Sequence, residues 1–229
     1  MDFALLITAY VVFVYSTVCH EAAHAWVAHK LGDNTAYLGG QVTLDPIPHI
    51  RREPIGMVFA PLFMLFTSGS LIGWASAPLD PMWVTRYPKR SALVAIAGPL
   101  ANFALCIVAM ICLFIGAKNG VFTPSAQPYF HKFMHGTEGT AWEVIAQILG
   151  IVFSLNLLLG ILNLMPVPPL DGSNLPLLFL GDRAADQYQQ AIRQPWMILI
   201  TLVLIFKVFP MVYWPVYERV TLWVYQWCF

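Results

Sequence analysis

From Phe3 to Lys30 the chain is apolar enough, and long enough, to cross a bilayer as one helix. In hydrocarbon the backbone of such a stretch must satisfy its own hydrogen bonds, and for a single segment only a helix does so. Yet His20, Glu21 and His24 stand inside it, three ionisable residues within five positions. Ionisable side chains are costly at membrane depth and mark function there. The chain must therefore fold so that one polar patch is held within a spanning helix.

The rest of the sequence has the same character. Hydrophobic residues make up 59% and charged residues 10% of 229 positions, with a mean hydropathy of +0.67. Soluble domains carry about 25% charged residues. We read an integral membrane protein, all-α and polytopic, with about 4–6 membrane segments. It is read as a single domain over residues 1–229, with a core over 3–175 and C-terminal helices over 195–229. Twelve basic and twelve acidic residues cancel, so no nucleic-acid footprint exists. Cys19, Cys106, Cys112 and Cys228 lie in apolar runs without a C-x-x-C pair and read as small core residues. The first helix lacks the basic lead and short apolar core of a signal peptide, so it reads as retained.

Lys30 marks the cytoplasmic end of that helix by the positive-inside rule, which leaves the N-terminus outside. Residues 31–54 are polar and turn-rich, and Gln41-Val42-Thr43-Leu44 reads as a short strand on the cytoplasmic side. Ile55 to Ala77 is apolar but broken by Pro61 and by Thr67-Ser68-Gly69-Ser70, so neither half can span. Basic residues flank it on both sides: Arg51 and Arg52 before, Arg86, Lys89 and Arg90 after. A re-entrant hairpin that enters and leaves on one side fits both facts. Ser91–Gly116 spans outward, 117–140 is an external loop, and Ala141–Met165 spans back. Pro195–Phe209 forms a further apolar helix that Pro210 and Pro215 break. The aromatic tail beyond reads either as a last short span or as an interfacial helix.

Residues i and i+4 share a helix face, so the imidazoles of His20 and His24 can converge on one zinc ion, with Glu21 beside them to take a proton from a bound water. This is the H-E-x-x-H pattern of zinc hydrolases. At about 1.5 Å per residue the pair lies roughly 9–15 Å before Lys30, inside the bilayer. A catalytic zinc has three protein ligands and an open position, so one ligand is missing. Asp171, acidic and at the end of a span, is the candidate; its other reading is a turn residue in Asp171-Gly172. Only with the re-entrant hairpin do Asp171 and the histidines emerge on the same side, so the shared metal and the charge distribution require the same topology. His131 and His135 repeat the i, i+4 spacing in the external loop, where a second metal is the weaker reading.

Three motifs together carry a resemblance: His20-Glu21-Ala22-Ala23-His24, Gly98-Pro99-Leu100-Ala101-Asn102, and Asn163-Leu164-Met165-Pro166-Val167-Pro168-Pro169-Leu170-Asp171-Gly172. They resemble the site-2 protease family of intramembrane zinc metalloproteases, over roughly residues 10–175. Gly73-Trp74-Ala75 before Pro78 is similar to its compact prokaryotic branch, which implies a prokaryotic plasma membrane; the basic residues put the active site towards the cytoplasm. The resemblance implies zinc on His20, His24 and Asp171, Glu21 as general base, and a transmembrane protein as substrate. It also implies that Asn102 and Asn163 position the substrate backbone or stabilise the oxyanion; Gly98, Pro99 and Asn102 read equally as residues that allow close helix packing and interhelical hydrogen bonds. The chain departs from the pattern in Pro168-Pro169, in Ser173 after Gly172, and in having no PDZ-like insert in the external loop. A strand near Val42 and the re-entrant segment could clamp the unwound substrate by β-addition.

Two other functions share the motif. A zinc hydrolase of small amphiphiles would use the same residues. A metal transporter or non-catalytic membrane adaptor would need ligands but no water-activating base, and Glu21 counts against it.

Overall fold

A computed structural model describes residues 3–69 and 71–229; Ser70, in the sequence break of the hairpin, lies outside them. The first helix, α1, runs Phe3–Leu31 without interruption. Short helices α2 (Thr35–Leu38) and α3 (Pro46–Arg52) follow, then α4 (Ile55–Ser68), which opens with a π turn over Ile55–Phe59. After α5 (Pro81–Arg86) come two long helices, α6 (Pro88–Lys118) and α7 (Ala141–Asn163), joined by an antiparallel hairpin of β1 (Phe122–Pro124) and β2 (Met134–Gly136). A 3-10 segment at Asp171–Leu178, helix α8 (Asp182–Ile192) and a final helix α9 (Met197–Cys228) complete the chain. Among the described residues α1, α6, α7 and α9 are the four helices long and apolar enough to cross a membrane.

Helix α6 packs on both α1 and α7, and this trio is the frame of the molecule. One apolar core joins α6, α7 and α9 around Phe133, Phe153 and Tyr217; another joins α1 to α4 and α7 around Phe13, Val18 and Met57. Lys30, Arg51, Arg52, Arg86, Lys89, Arg90, Arg183 and Arg193 all fall at or beyond the same ends of these helices, which we call the basic end.

Helix α4 has fourteen residues, about 21 Å of rise, short of a bilayer's roughly 30 Å core. The chain then returns along it in extended form. Trp74 donates its N–H to the Gly56 carbonyl at 3.0 Å, and Ser76 Oγ donates to Glu53 at 2.6 Å, so both limbs begin and finish at one level. Glycine permits this approach: a Cβ on Gly56 would lie 2.2 Å from the Trp74 carbonyl oxygen, and one on Gly73 would lie 2.4 Å from that of Gly56. The re-entrant hairpin is thus one helical limb and one extended limb.

Two expectations are corrected. Gln41–Leu44 is not a strand; the segment bends, and no neighbouring chain offers it a ladder among the described residues. Its polar atoms are used locally: Thr43 Oγ1 accepts from Asp45 N, the Thr43 carbonyl accepts from His49 Nε2, and Asp45 caps α3 through Ile47 N. The two-stranded sheet lies instead in the α6–α7 connection, at the end opposite the basic one. Nor do Pro210 and Pro215 break the last helix. A π turn at Leu204–Val208 precedes Pro210, Pro215 sits within the helix, and α9 continues to Cys228. Without water to take the freed carbonyls, local π adjustment and continued helix cost less than unwinding. The tail is therefore the second half of one membrane-length helix.

Candidate metal centre

Helix α1 presents His20 and His24 one turn apart, with ring centroids 4.6 Å apart and planes nearly perpendicular. Their Nε2 atoms lie 3.0 Å from each other. Asp171 reaches them from the far end of α7, where the Leu164–Leu170 turn leads into the 3-10 segment. Its Oδ2 is 3.0 Å from His20 Nε2 and 3.3 Å from His24 Nε2. Ser173 fixes that segment through its hydroxyl to the Leu170 carbonyl, and Tyr188 of α8 ties it down by donating to the Ser173 carbonyl at 2.7 Å. This is the one cluster of potential metal ligands among the described residues.

Hydrogen bonds behind the rings decide which atoms face the centre. His24 Nδ1 lies 2.7 Å from the Val94 carbonyl, which can only accept, so Nδ1 carries the hydrogen and Nε2 a lone pair. For His20 the argument runs through two amides. Asn156 Nδ2 donates to the Val152 carbonyl at 2.8 Å and to Ser16 Oγ at 2.9 Å, which leaves its Oδ1 to accept from Asn102 Nδ2 at 2.9 Å. Asn102 Oδ1 then accepts from His20 Nδ1 at 2.6 Å. In the neutral rings, the form that binds a metal, both Nε2 atoms are therefore acceptors, and they converge on a carboxylate oxygen that is itself buried without a hydrogen-bond donor. Three lone pairs at such separations repel unless a cation lies between them. A tetrahedral zinc with bonds of about 2.0–2.1 Å separates its ligand atoms by roughly 3.3 Å. The donor set and its spacing fit zinc.

Glu21, 5% exposed, lines the cavity of about 470 Å³ into which His20, His24 and Asp171 also point. Asn163 lines it too, with its amide donating to Leu159 of its own helix. Asn102 does not: wholly buried, it stands behind His20, away from the cavity, so the geometry departs from the oxyanion position that the resemblance implies. Sequence reading missed Asn156 and Ser16. The signal was available, since an amide in the middle of the apolar run 141–163 needs a partner. His131 and His135 fall in a 3-10 turn and in β2, so their helical spacing is not realised. Burial, together with Lys132, lowers the His131 pKa from its ordinary value.

Gly98 lets α6 approach the rings: a Cβ there would lie 2.3 Å from His24 Nε2 and 2.5 Å from His20 Nε2. Gly98→Ala should displace both imidazoles, at the cost of about 1–3 kcal/mol usual for overpacking. Isothermal titration with zinc should show at least a tenfold weaker Kd, and unchanged affinity would mean the rings do not depend on this contact.

A model of peptidase family M50 matches residues 8–206. The chain belongs to peptidase family M50. Among its curated relatives is the Bacillus subtilis (strain 168) protein named "Putative zinc metalloprotease YwhC", 32% identical over 163 residues, covering 71% of this chain and 64% of that one. "Putative zinc metalloprotease Rip2" of Mycobacterium tuberculosis (strain H37Rv) is 31% identical over 170 residues, covering 74% and 55% respectively. The Rip2 of Mycolicibacterium smegmatis is 25% identical over 210 residues, covering 88% and 70%. The chain thus spans somewhat less than two thirds of the first of these relatives. No solved structure matches it.

Proposed function

We propose that this M50 chain is a single membrane-embedded domain that acts as an intramembrane zinc endopeptidase on transmembrane proteins. The observation that carries the reading is the convergence of His20 Nε2, His24 Nε2 and Asp171 Oδ2 in one cavity with Glu21, with the two histidines roughly 10–17 Å from the end of α1 at 1.5 Å per residue. His20, His24 and Asp171 would hold the metal. Bound zinc supplies Lewis acidity and lowers the pKa of a coordinated water towards about 7.

The chain's own residues do the rest. Glu21 takes the proton of the attacking water and passes it to the leaving amine. Asn163, at the cavity wall, offers its amide to the substrate backbone. Asn102, backed by Asn156, keeps the His20 Nδ1 hydrogen occupied so that Nε2 stays available. A cavity of about 470 Å³ does not admit an intact helix several turns long, so the substrate segment must unwind before cleavage. The extended limb 71–77 beside the cavity offers backbone for such a segment, a role that the bent Gln41–Leu44 does not share.

By the positive-inside rule we read the basic end as cytoplasmic, with the metal towards the cytoplasm and Phe3 near the outer face; the bacterial relatives support a prokaryotic plasma membrane. A cysteine introduced as Arg183→Cys should react with an impermeant maleimide only in inside-out vesicles, and Glu138→Cys only in intact spheroplasts; the reverse pattern would invert the topology.

The test of function is cleavage of a labelled transmembrane peptide by the purified protein in lipid vesicles, abolished by a zinc chelator and restored by zinc. Hydrolysis of phospholipid esters with the peptide left intact would favour the amphiphile hydrolase. Zinc flux without either reaction would favour a transporter.

A further inference from the structure

Helix α9 touches the bundle along one seam, in which Tyr213, Tyr217, Val224 and Cys228 face α6 and α7. Only 17% of its apolar stretch is buried, against 33–50% for the other three long helices. Lys207, Glu218 and Arg219 stand exposed on the remainder, and none is in an ion pair among the described residues.

Their depths differ. Tyr217, next to Glu218, has its hydroxyl 3.3 Å from Ser154 Oγ. Ser154 lies thirteen residues into α7 and nine before its end, roughly 20 and 14 Å from the two ends at 1.5 Å per residue. Glu218 and Arg219 are therefore at mid-span. Lys207 is only six residues beyond Thr201, whose hydroxyl bonds the Pro168 carbonyl at the basic end. Its flexible stem can carry the ammonium back to that interface. The pair at mid-span has no such exit, and lipid does not solvate it.

An acid and a base adjacent in sequence, at one depth and on one exposed side of a helix, form a patch complementary to itself. A twofold axis along the membrane normal sets two copies of α9 parallel and level, so that Glu218 of each copy meets Arg219 of the other, as an isologous contact requires. With the axis passing between Glu218 and Arg219, the exposed Val212, Pro215, Leu222 and Gln226 of the same helix would flank the two ion pairs above and below. No residue of α9 lines the cavity of the metal centre, so pairing here leaves that cavity open.

We propose that this face of α9 is a homodimer interface, in which two copies of the chain pair in parallel through reciprocal Glu218–Arg219 ion pairs. The test is energy transfer between donor- and acceptor-labelled chains in phosphatidylethanolamine–phosphatidylglycerol vesicles, diluted with lipid. Wild type should transfer; Glu218→Arg and Arg219→Glu, each placing like charges face to face, should lose transfer at dilutions at least tenfold lower. Mixing donor-labelled Glu218→Arg with acceptor-labelled Arg219→Glu should restore it, because the two patches are then opposite in sign, and restored pairing also shows that both variants are folded. A wild type that stays monomeric, single variants that pair like wild type, or a mixture no better than the single variants would each overturn the proposal.

Discussion

Glu21→Gln should lower kcat for a transmembrane peptide by at least 10²–10⁴-fold, the usual worth of a general base, while zinc remains bound at one ion per chain. The amide preserves the size of the side chain and can still accept a hydrogen bond, but it cannot take a proton from water. Among the described residues no other group lining the cavity can replace it. Of the titratable residues that line the cavity, His20, His24 and Asp171 direct their lone pairs at one point, and Glu21 alone is left. Stopped assays on a labelled peptide, paired with metal analysis of the same sample, separate the outcomes. Loss of zinc together with activity would make Glu21 part of the metal's support, and a loss of only a few fold would require a base from outside the cavity. Either result would remove the proton step from the proposed mechanism.

The frame of this molecule was readable because lipid leaves a sequence few choices. Apolar length predicts α1, α6 and α7, and basic residues predict that the hairpin at Ile55–Ala77 returns to its starting side. Where the signal was local, it was weaker. Gln41–Leu44 has strand-like residues, but a strand exists only with a partner edge, and here the Thr43 and Asp45 side chains turn the chain first. Pro210 and Pro215 are helix breakers in water, where freed carbonyls find solvent; in an apolar setting a π turn absorbs the misfit and the helix continues. At the site, spacing along one helix pairs His20 with His24, and the need for a third donor points to Asp171. Spacing says nothing about which side of His20 Asn102 occupies, because α6 and α1 meet only through tertiary packing. Asn156 was hidden for the same reason: its partners, Ser16 and Asn102, are 140 and 54 residues away in sequence.

Asn102→Leu should weaken zinc binding by about 10–100-fold, the usual effect of removing the group that orients a metal-bound histidine. The leucine fills similar space but accepts nothing, so the His20 Nδ1 hydrogen is stranded in a buried setting and the Asn156 carbonyl oxygen loses its donor. Each loss favours ring rotation or the other tautomer, and in either case the Nε2 lone pair leaves the centre. Competition with a chromophoric chelator measures the affinity directly, without an assay of turnover. Saturating zinc should recover much of the cleavage, since Glu21 and the cavity wall are untouched. Asn102→Asp should retain tight binding, because a carboxylate still accepts from His20 Nδ1, although it offers nothing to Asn156 Oδ1. Asn156→Leu should fall between wild type and Asn102→Leu, as its influence reaches the metal only through Asn102. Equal damage from Asn156→Leu and Asn102→Leu would mean that packing in the α1–α6–α7 core, rather than the hydrogen bond to His20, is what the amides supply.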